Sequence, residues 1–322
     1  MRFAFTDDHV AFRDAVRDLL DAHGTTATVR AAWDAAPGSL DRSLWSQLTE
    51  MGALDVLTPE ASGGLGLDTI ALVGILEETG RAAVPHPVVE SAALAAPLLA
   101  DGLGGRLVAG SWRGAPVPCG LDADLVVVVG DADVRAHDPA SLGLEAVDAV
   151  DRGRRLARIT GSLDGGELLT DDPTEVAAAF DRAALGVAAQ LVGLGDTLLR
   201  LTVEHVVDRR QFGVPVGSFQ AVKHHLADAL MELSFARPAV HEAAHAIAVG
   251  STDVSYQVAR AKVLAGEASE VVGAVALQCH GAIGYTVEHD LHLYLKRTLS
   301  LSRAWGDRHH HTEQVALARL GA

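Results

Sequence analysis

The chain has 322 residues, of which 49% are hydrophobic and 21% charged, so it is long and apolar enough for two or three packed units and is not a disordered chain. A formal net charge of −16 argues against a nucleic acid or an anionic membrane as partner, because both attract basic surfaces. Cys119 and Cys279 are too few and too far apart for a disulfide framework, the charged start does not resemble a signal peptide, and no apolar run is expected to span a membrane, so a reduced cytoplasm is the expected compartment.

The first third of the chain has the spacing of several helices joined by turns. Apolar residues recur every three or four positions, first at Val10, Phe12, Val16, Leu19 and Leu20, then at Ile70, Leu72, Val73, Ile75 and Leu76. Gly and Pro cluster at 58–66 and 84–87, where we expect turns. The pattern predicts an N-terminal helical domain over 1–105.

Around Val108 the pattern changes to short apolar runs bounded by turn residues. Residues 125–129 read Leu-Val-Val-Val-Val before Gly-Asp, and a second run covers 154–161. Such runs are strand signals. We therefore predict a small β domain over 106–171.

The remainder of the chain has the pattern of a helical bundle. Asp172 as N-cap and Pro173 at the first helical position predict a helix to about Val207. Further helical patterns follow at 218–249, 253–279 and 288–320. Pro238 should kink the second of these helices or split it. Four long helices with short connections predict a C-terminal four-helix bundle over 172–322 and a mainly α fold.

The segment between the first two bundle helices is suited to gripping a dinucleotide. It reads Arg-Arg-Gln-Phe-Gly-Val-Pro-Val-Gly-Ser-Phe-Gln over 209–220. The guanidinium of Arg209 can bind a pyrophosphate through paired, charge-assisted hydrogen bonds, while the ring of Phe212 can pack on a flat ring. Gly213 lets the backbone approach closely. Taken alone, the segment is also compatible with an ordinary polar turn between helices.

Two other segments, with this one, match the motifs of one enzyme family in the same order. Residues 278–288 read Gln-Cys-His-Gly-Ala-Ile-Gly-Tyr-Thr-Val-Glu, and residues 56–67 read Val-Leu-Thr-Pro-Glu-Ala-Ser-Gly-Gly-Leu-Gly-Leu, with Glu-Glu-Thr-Gly-Arg at 77–81. The chain thereby resembles the acyl-CoA dehydrogenase family, with its Arg-x-Gln-Phe-Gly, Gln-x-x-Gly-Gly-x-Gly-Tyr and Pro-Glu-x-x-Gly-Gly-x-Gly stretches. The resemblance implies α,β-dehydrogenation of an acyl-CoA with FAD and an electron-transfer acceptor, and the same order of helical, β and bundle domains.

The resemblance also implies which residues contact the cofactor. In the family, the two C-terminal motifs reach across a subunit interface to the ADP half of an FAD whose ring lies in the neighbouring subunit. The matching positions here are Arg209, Gln211, Phe212, Gln220, Gln278 and Ala282. Ala282 stands where the family has a second Gly, so its methyl group should tighten or displace the backbone near the phosphates.

Two departures from the family concern chemistry. The middle segment 106–171 is shorter than the family's β domain and contains no match to the Thr-Glu-Pro-x-x-Gly-Ser-Asp type of segment that holds the flavin ring. The family's usual catalytic Glu falls on Gly306, which cannot remove the proton α to a thioester that the reaction must abstract. Asp307 is one residue away, and one residue turns a helical side chain by about 100°.

Some family members carry the base on the first bundle helix, where Asp181 is the matching residue. It is one methylene shorter than Glu, so its carboxylate would lie roughly 1 Å further from the reacting proton. We favour the alternative interpretation, a solvated Asp181 paired with Arg182 or Arg152.

Histidines are numerous, but no recognisable metal motif contains them. The consecutive residues 309–311 would point about 100° apart on a helix, and the pair at 224–225 is adjacent as well. His241 and His245 have the spacing of ligand pairs but lack a carboxylate or cysteine partner in a motif. The sequence predicts no metal site.

These features lead to three hypotheses. In the first, the chain is a subunit without a catalytic base in an α2β2 heterotetramer with a longer acyl-CoA dehydrogenase subunit that carries the catalytic Glu. This arrangement is similar to actinobacterial enzymes acting on CoA thioesters of steroid side chains, and FAD would be shared with the partner. The second is a homomeric dehydrogenase using Asp181 as base, and the third a flavin-free structural or binding protein of the family.

Overall fold

A computed structural model describes residues 5–321, so residues 1–4 and 322 of the predicted terminal domains lie outside the described range. The N-terminal region is helical as predicted. Its helices are α1 (Asp7–His23), α2 (Thr26–Asp34), α3 (Ser43–Glu50) and α4 (Thr69–Arg81), followed by a π-helical segment over Val89–Ala95. The predicted turn at 58–66 contains a short 3-10 helix at Glu60–Ser62. Asp68 starts α4 by accepting hydrogen bonds from the N–H groups of Ile70 and Ala71.

The middle of the chain contains the predicted β structure. Its strands are β1 (Val108–Trp112), β2 (Leu125–Val129), β3 (Val134–His137), β4 (Leu144–Ala146), β5 (Ala157–Ile159) and β6 (Glu167–Thr170). A four-stranded sheet has the order β1-β2-β3-β6, with β1 and β2 parallel and the other neighbours antiparallel. Strands β4 and β5 pair separately. The predicted strand at 154–161 is shorter than expected, because Arg152–Arg154 form a 3-10 turn.

Long helices form the C-terminal region. They are α5 (Pro173–Asp208), α6 (Gln220–Ala248), α7 (Val254–His280), α8 (Leu291–Leu301) and α9 (Arg308–Leu320). Asp172 caps α5 as predicted and accepts a hydrogen bond from the N–H of Thr174. Helix α6 continues through Pro238 without being split. The predicted single helix over 288–320 is wrong, because Trp305 and Gly306 have left-handed φ angles of 53° and 87° that separate α8 from α9.

Helix α5 occupies the centre of the fold. It packs against α4, α6, α7 and α8. A Cβ atom at Gly193 of α5 would lie 1.9 Å from the carbonyl oxygen of Glu77, so α4 and α5 cross too closely for any side chain there. The expectation that no segment is apolar enough to span a membrane needs correction, since α5 is by length and composition long and apolar enough to cross one. However, 78% of its apolar window is buried inside the protein, as expected for a core helix that is apolar on all sides.

Candidate functional site

The segment predicted to grip a dinucleotide forms a hairpin directly after α5. Strands β7 (Arg210–Gln211) and β8 (Val214–Pro215) pair antiparallel across a two-residue turn. Both turn residues have positive φ, 52° at Phe212 and 82° at Gly213. This is the geometry of a type I′ turn, whose twist matches that of the two strands it joins. The tight glycine turn is confirmed, and the hairpin was not expected.

Phe212 is held in a conformation that exposes its ring. A left-handed φ is uncommon for a bulky residue and costs on the order of 1 kcal/mol. The residue is nevertheless 91% exposed, and its ring lies edge-on to that of Phe219 with centroids 6.3 Å apart. A strained, exposed aromatic side chain gains little from its own fold, which directs attention to a ligand or partner as its contact.

The second predicted segment lies beside the hairpin. Helix α7 ends at His280 and continues into a 3-10 turn over Gly281–Tyr285. The ring of His280 stacks on that of His205, with centroids 4.2 Å apart. Arg209 follows His205 by about one helical turn, and Gln278 comes just before His280. The stacked rings therefore hold the ends of α5 and α7, and the segments that follow them, at the same end of the bundle.

The six predicted cofactor-contacting residues share one property. All are exposed: Arg209, Gln211, Phe212, Gln220, Gln278 and Ala282. Within residues 5–321, the side chains of Arg209 and the three glutamines form no hydrogen bond or ion pair. Because guanidinium and amide groups are strong donors, they remain available to phosphate and hydroxyl oxygens of a ligand. These residues fit the ADP end of a dinucleotide.

Gly306, predicted from the sequence to occupy the position of the family's catalytic Glu, has surroundings that disfavour a side chain. Its φ of 87° is left-handed, and an added Cβ would lie 2.6 Å from Nε2 of His311 and 2.7 Å from Cδ2 of His310. Gly306 lines a cavity of about 590 Å³ between the middle domain and helices α8 and α9. A side chain at position 306 would therefore have to displace the two histidine rings and adopt a strained backbone.

The neighbouring Asp307 has a structural role. Its carboxylate caps α9 by accepting the N–H of His310 at 2.9 Å. That hydrogen bond lowers the pKa of Asp307, because it favours the ionised form. The side chain is exposed and committed to the helix end.

Asp181 is buried, so the interpretation of a solvated carboxylate is wrong. Its exposed fraction is 6%, and it accepts a hydrogen bond from the Ser255 hydroxyl at 2.7 Å. The adjacent Arg182 donates to the carbonyl of Ala93 rather than to Asp181. Burial raises the pKa of Asp181 to about 6. The described residues that line the large cavity do not include Asp181.

A buried carboxylate that was not expected, Glu90, does face this cavity. It accepts a hydrogen bond from Nε1 of Trp305 at 3.2 Å and lies 3.8 Å from the guanidinium of Arg154. Glu90 is therefore held between Trp305 and Arg154. Burial lowers the pKa of Arg154. Glu90 belongs to the π-helical segment, an irregularity that periodicity in the sequence does not show.

Lys262 fixes the connection between α8 and α9. Its ammonium is buried and donates to the carbonyl oxygens of Ser302 and Gly306 at 3.0 and 3.1 Å. Burial lowers the pKa of Lys262 to about 7, although the negative charge of Asp307 opposes the shift. The left-handed segment that carries Gly306 is thus anchored to α7.

Histidines that are distant in sequence meet at the end of α7. One ring nitrogen from each of His205, His280 and His289 lies within 4.8 Å of the other two. The sequence analysis did not find this group, because tertiary packing brings it together. By contrast, His241 pairs with Glu77 at 2.7 Å, and the buried His311 ring is bonded to the carbonyl of Trp305.

Comparison with known proteins matches both helical regions to one family. Residues 6–103 match the family described as "Acyl-CoA dehydrogenase, N-terminal domain", and residues 174–319 match "Acyl-CoA dehydrogenase, C-terminal domain". The two matches leave 104–173 between them. The chain is 35% identical to "Acyl-CoA dehydrogenase IpdE2" of Mycobacterium tuberculosis (strain ATCC 25618 / H37Rv), over 90% of this chain and 91% of that protein.

Solved structures share the fold. A chain of the ChsE4-ChsE5 complex from Mycobacterium tuberculosis superposes with a TM-score of 0.87 at 23% identity, over 99% of both chains. A chain of the Tcur3481-Tcur3483 steroid ACAD gives a TM-score of 0.84 at 24% identity, over 98% of both chains. At these identities the likeness concerns the fold.

Proposed function

Because the chain belongs to the acyl-CoA dehydrogenase family, we propose that it is a subunit without a catalytic base in a flavin-dependent acyl-CoA dehydrogenase complex. The observation that carries this proposal is a contrast between two sites. Within residues 5–321, the residues proposed to bind ADP are exposed and their donor groups are unpaired, whereas position 306 has no carboxylate and close neighbours that disfavour one. The chain keeps the means to hold a coenzyme and lacks the family's means to start the oxidation.

In this proposal the chain binds the ADP half of an FAD whose ring lies in the partner. Arg209 pairs with the pyrophosphate, and Phe212 packs on a flat part of the cofactor. The rest of the binding surface is formed by Gln211, Gln220, Gln278 and Ala282. When bound, FAD would supply the acceptor for the hydride that leaves the β-carbon of the acyl thioester. The chain's own contribution is to bind and orient the dinucleotide, since it provides no base for the α-proton.

The partner we propose is a longer acyl-CoA dehydrogenase subunit that carries the catalytic Glu, in an α2β2 heterotetramer. Two comparisons support a heteromeric assembly, since both are titled as pairs, ChsE4-ChsE5 and Tcur3481-Tcur3483. The second is titled a steroid ACAD, which makes a steroid side-chain CoA thioester the first substrate class to examine. An electron-transfer protein would then reoxidise the flavin.

Arg209→Gln tests the proposed contact with the FAD pyrophosphate, and Arg210→Gln is its matched control. Arg210 is equally exposed and adjacent, but it occupies the variable position of the motif. In the complex with the partner, Arg209→Gln should lower FAD content and weaken FAD binding by about 1.5–3 kcal/mol, the range for hydrogen bonds to charged groups. FAD retained after gel filtration is measured from visible absorbance. Equal FAD retention in both variants would contradict the proposed contact.

Different observations bear on the two alternatives, a homomeric enzyme and a flavin-free protein. A homomeric enzyme using Asp181 requires that carboxylate near a substrate, whereas Asp181 is bonded to Ser255 and does not line the cavity beside Gly306. A flavin-free protein has no use for an exposed, strained Phe212 beside Arg209. Absence of FAD from every reconstituted complex would favour that second alternative.

A further inference from the structure

We propose that His205, His280 and His289 form a binding site for a divalent transition-metal ion of the zinc, cobalt or nickel class. One ring nitrogen from each lies within 4.8 Å of the others. Metal–nitrogen bonds of about 2.0–2.1 Å place tetrahedral ligand atoms roughly 3.4 Å apart. The nitrogens therefore need to approach by up to about 1.4 Å, and the stacked His205 ring also has to turn so that its lone pair points at the ion, a change of side-chain rotamer.

His280 is the anchor of the site. It is 6% exposed, and its Nδ1 lies 2.8 Å from the carbonyl oxygen of Ala276. A carbonyl only accepts, so Nδ1 carries the proton and Nε2 carries a lone pair. That Nε2 is buried and has no hydrogen-bond partner. A buried acceptor left unpaired is destabilising, and a metal ion would satisfy it.

The orientation of His280 is the one that metal-binding histidines usually have. Ligating rings commonly donate their second N–H to a backbone carbonyl, which fixes the ring and its tautomer. Burial also lowers the pKa of His280 to about 4, so the ring is neutral near pH 7 and its lone pair is free to bind a cation.

The other two rings must adjust to complete the site. His205 is half-buried in the last turn of α5, and it leaves its stack on His280 because a metal lies in the plane of each ligating ring. His289 accepts the N–H of Leu291 through Nδ1 at 3.1 Å. Binding through Nδ1 uses the lone pair that accepts this bond, and binding through Nε2 leaves the proton on Nδ1, so either mode replaces one hydrogen bond with a metal–nitrogen bond.

The ligand set selects the class of metal. Neutral imidazoles favour zinc, cobalt, nickel and copper over magnesium and calcium, which prefer carboxylate and carbonyl oxygens. Three protein ligands leave a fourth position for water or another group.

The position of the site suggests what the ion does. It would join the end of α5, the end of α7 and the segment before α8. Arg209 follows the first ligand, and Ala282 follows the second. The ion would therefore fix the two segments that grip ADP relative to each other, a consequence that rests on the proposed function, whereas metal binding itself does not.

The test is a Co²⁺ and Zn²⁺ titration of the chelator-treated full-length chain, followed by visible absorbance and calorimetry. We expect one ion per chain and a tetrahedral cobalt spectrum. His205→Ala and His289→Ala should each weaken binding at least about tenfold, while His224→Ala, an exposed histidine on α6, should leave it unchanged. Both ligand variants change rings outside the buried core, so they are expected to fold.

His289→Cys gives a second readout. A thiolate at this position remains a ligand, so the cobalt complex should acquire an intense near-ultraviolet charge-transfer band. The proposal is overturned if the double variant His205→Ala/His289→Ala binds cobalt as tightly as the unaltered chain does. It is also overturned if the unaltered chain binds neither Co²⁺ nor Zn²⁺ more tightly than that variant does. These measurements use the isolated chain, so their failure leaves the FAD test with Arg209→Gln untouched.

Discussion

Gly306, which the sequence motifs align with the family's catalytic Glu, has a left-handed backbone and close neighbours that disfavour a side chain. Two features disfavour a side chain: the left-handed φ, and the two histidine rings that lie close to the position a Cβ would occupy. The substitution of Glu by Gly at this position was visible in the sequence, but the steric exclusion was not. It depends on the packing of α9 against the connection from α8. Restoring a base at 306 would therefore require the two histidine rings to move and would leave the new side chain on a strained backbone.

Gly306→Ala is expected to lower the free energy of unfolding by about 2–3 kcal/mol, from positive-φ strain and overpacking together. Gly266→Ala is the matched control, because a Cβ at Gly266 on α7 meets nothing within 4 Å and its φ is negative. That variant should be neutral or more stable by up to about 1 kcal/mol. Urea unfolding followed by circular dichroism measures both. Equal stability of the two variants would contradict the steric argument.

Asp181→Asn is expected to stabilise the chain at neutral pH. The folded-state pKa of about 6 lies above the ordinary 3.8, so the folded chain binds the proton more tightly and loses stability as pH rises from about 4 to 6. Asn keeps an acceptor for Ser255 without a buried charge. The gain should approach about 3 kcal/mol above pH 6, from two pKa units, and disappear below about pH 4. Urea unfolding at pH 4 and pH 7.5 checks it.

The same variant bears on catalysis. In the assembled complex, Asp181→Asn and Glu90→Gln should leave turnover within about twofold, since neither carboxylate is proposed to act on substrate. A loss above about 100-fold on Asp181→Asn would instead support a base in this chain, because removing general-base catalysis typically costs that much or more.

At the scale of elements, local signals predicted well what local chemistry determines. Asp172 and Pro173 announce the start of α5, and the valine run predicts β2. The break between α8 and α9 was missed because helical spacing continues across it. The hairpin strands β7 and β8 were also missed, since two residues are too short for a periodic pattern. The histidine group arises only when the ends of α5 and α7 pack together.

Lys262→Met should loosen the connection between α8 and α9. It leaves the carbonyl oxygens of Ser302 and Gly306 buried without donors, which should lower the free energy of unfolding by at least about 2 kcal/mol. Lys223→Met, at an exposed lysine of α6, is the control and should change stability by less than about 0.5 kcal/mol. Thermal unfolding of both variants is the measurement. A Met variant at 262 as stable as that control would show that the carbonyl oxygens need no donor.

At the scale of the whole molecule, a buried ion pair joins three regions of the chain. Arg297 on α8 pairs with Asp151 of the middle domain, and its guanidinium also donates to the carbonyls of Ala83 and Val84 after α4. Removing one partner of such a pair typically costs about 3–5 kcal/mol. The order of the domains was predictable from sequence motifs. This link between them was not, because it depends on residues distant in sequence.

The central claim is that the chain holds the nucleotide end of a coenzyme whose chemistry is performed elsewhere. The most direct measurement is flavin content and acyl-CoA oxidation for the purified chain alone and for the chain co-expressed with a longer subunit carrying the catalytic Glu. We expect a colourless, inactive chain and a yellow, active heteromeric complex. A homomer of this chain that retains FAD and oxidises an acyl-CoA would contradict it.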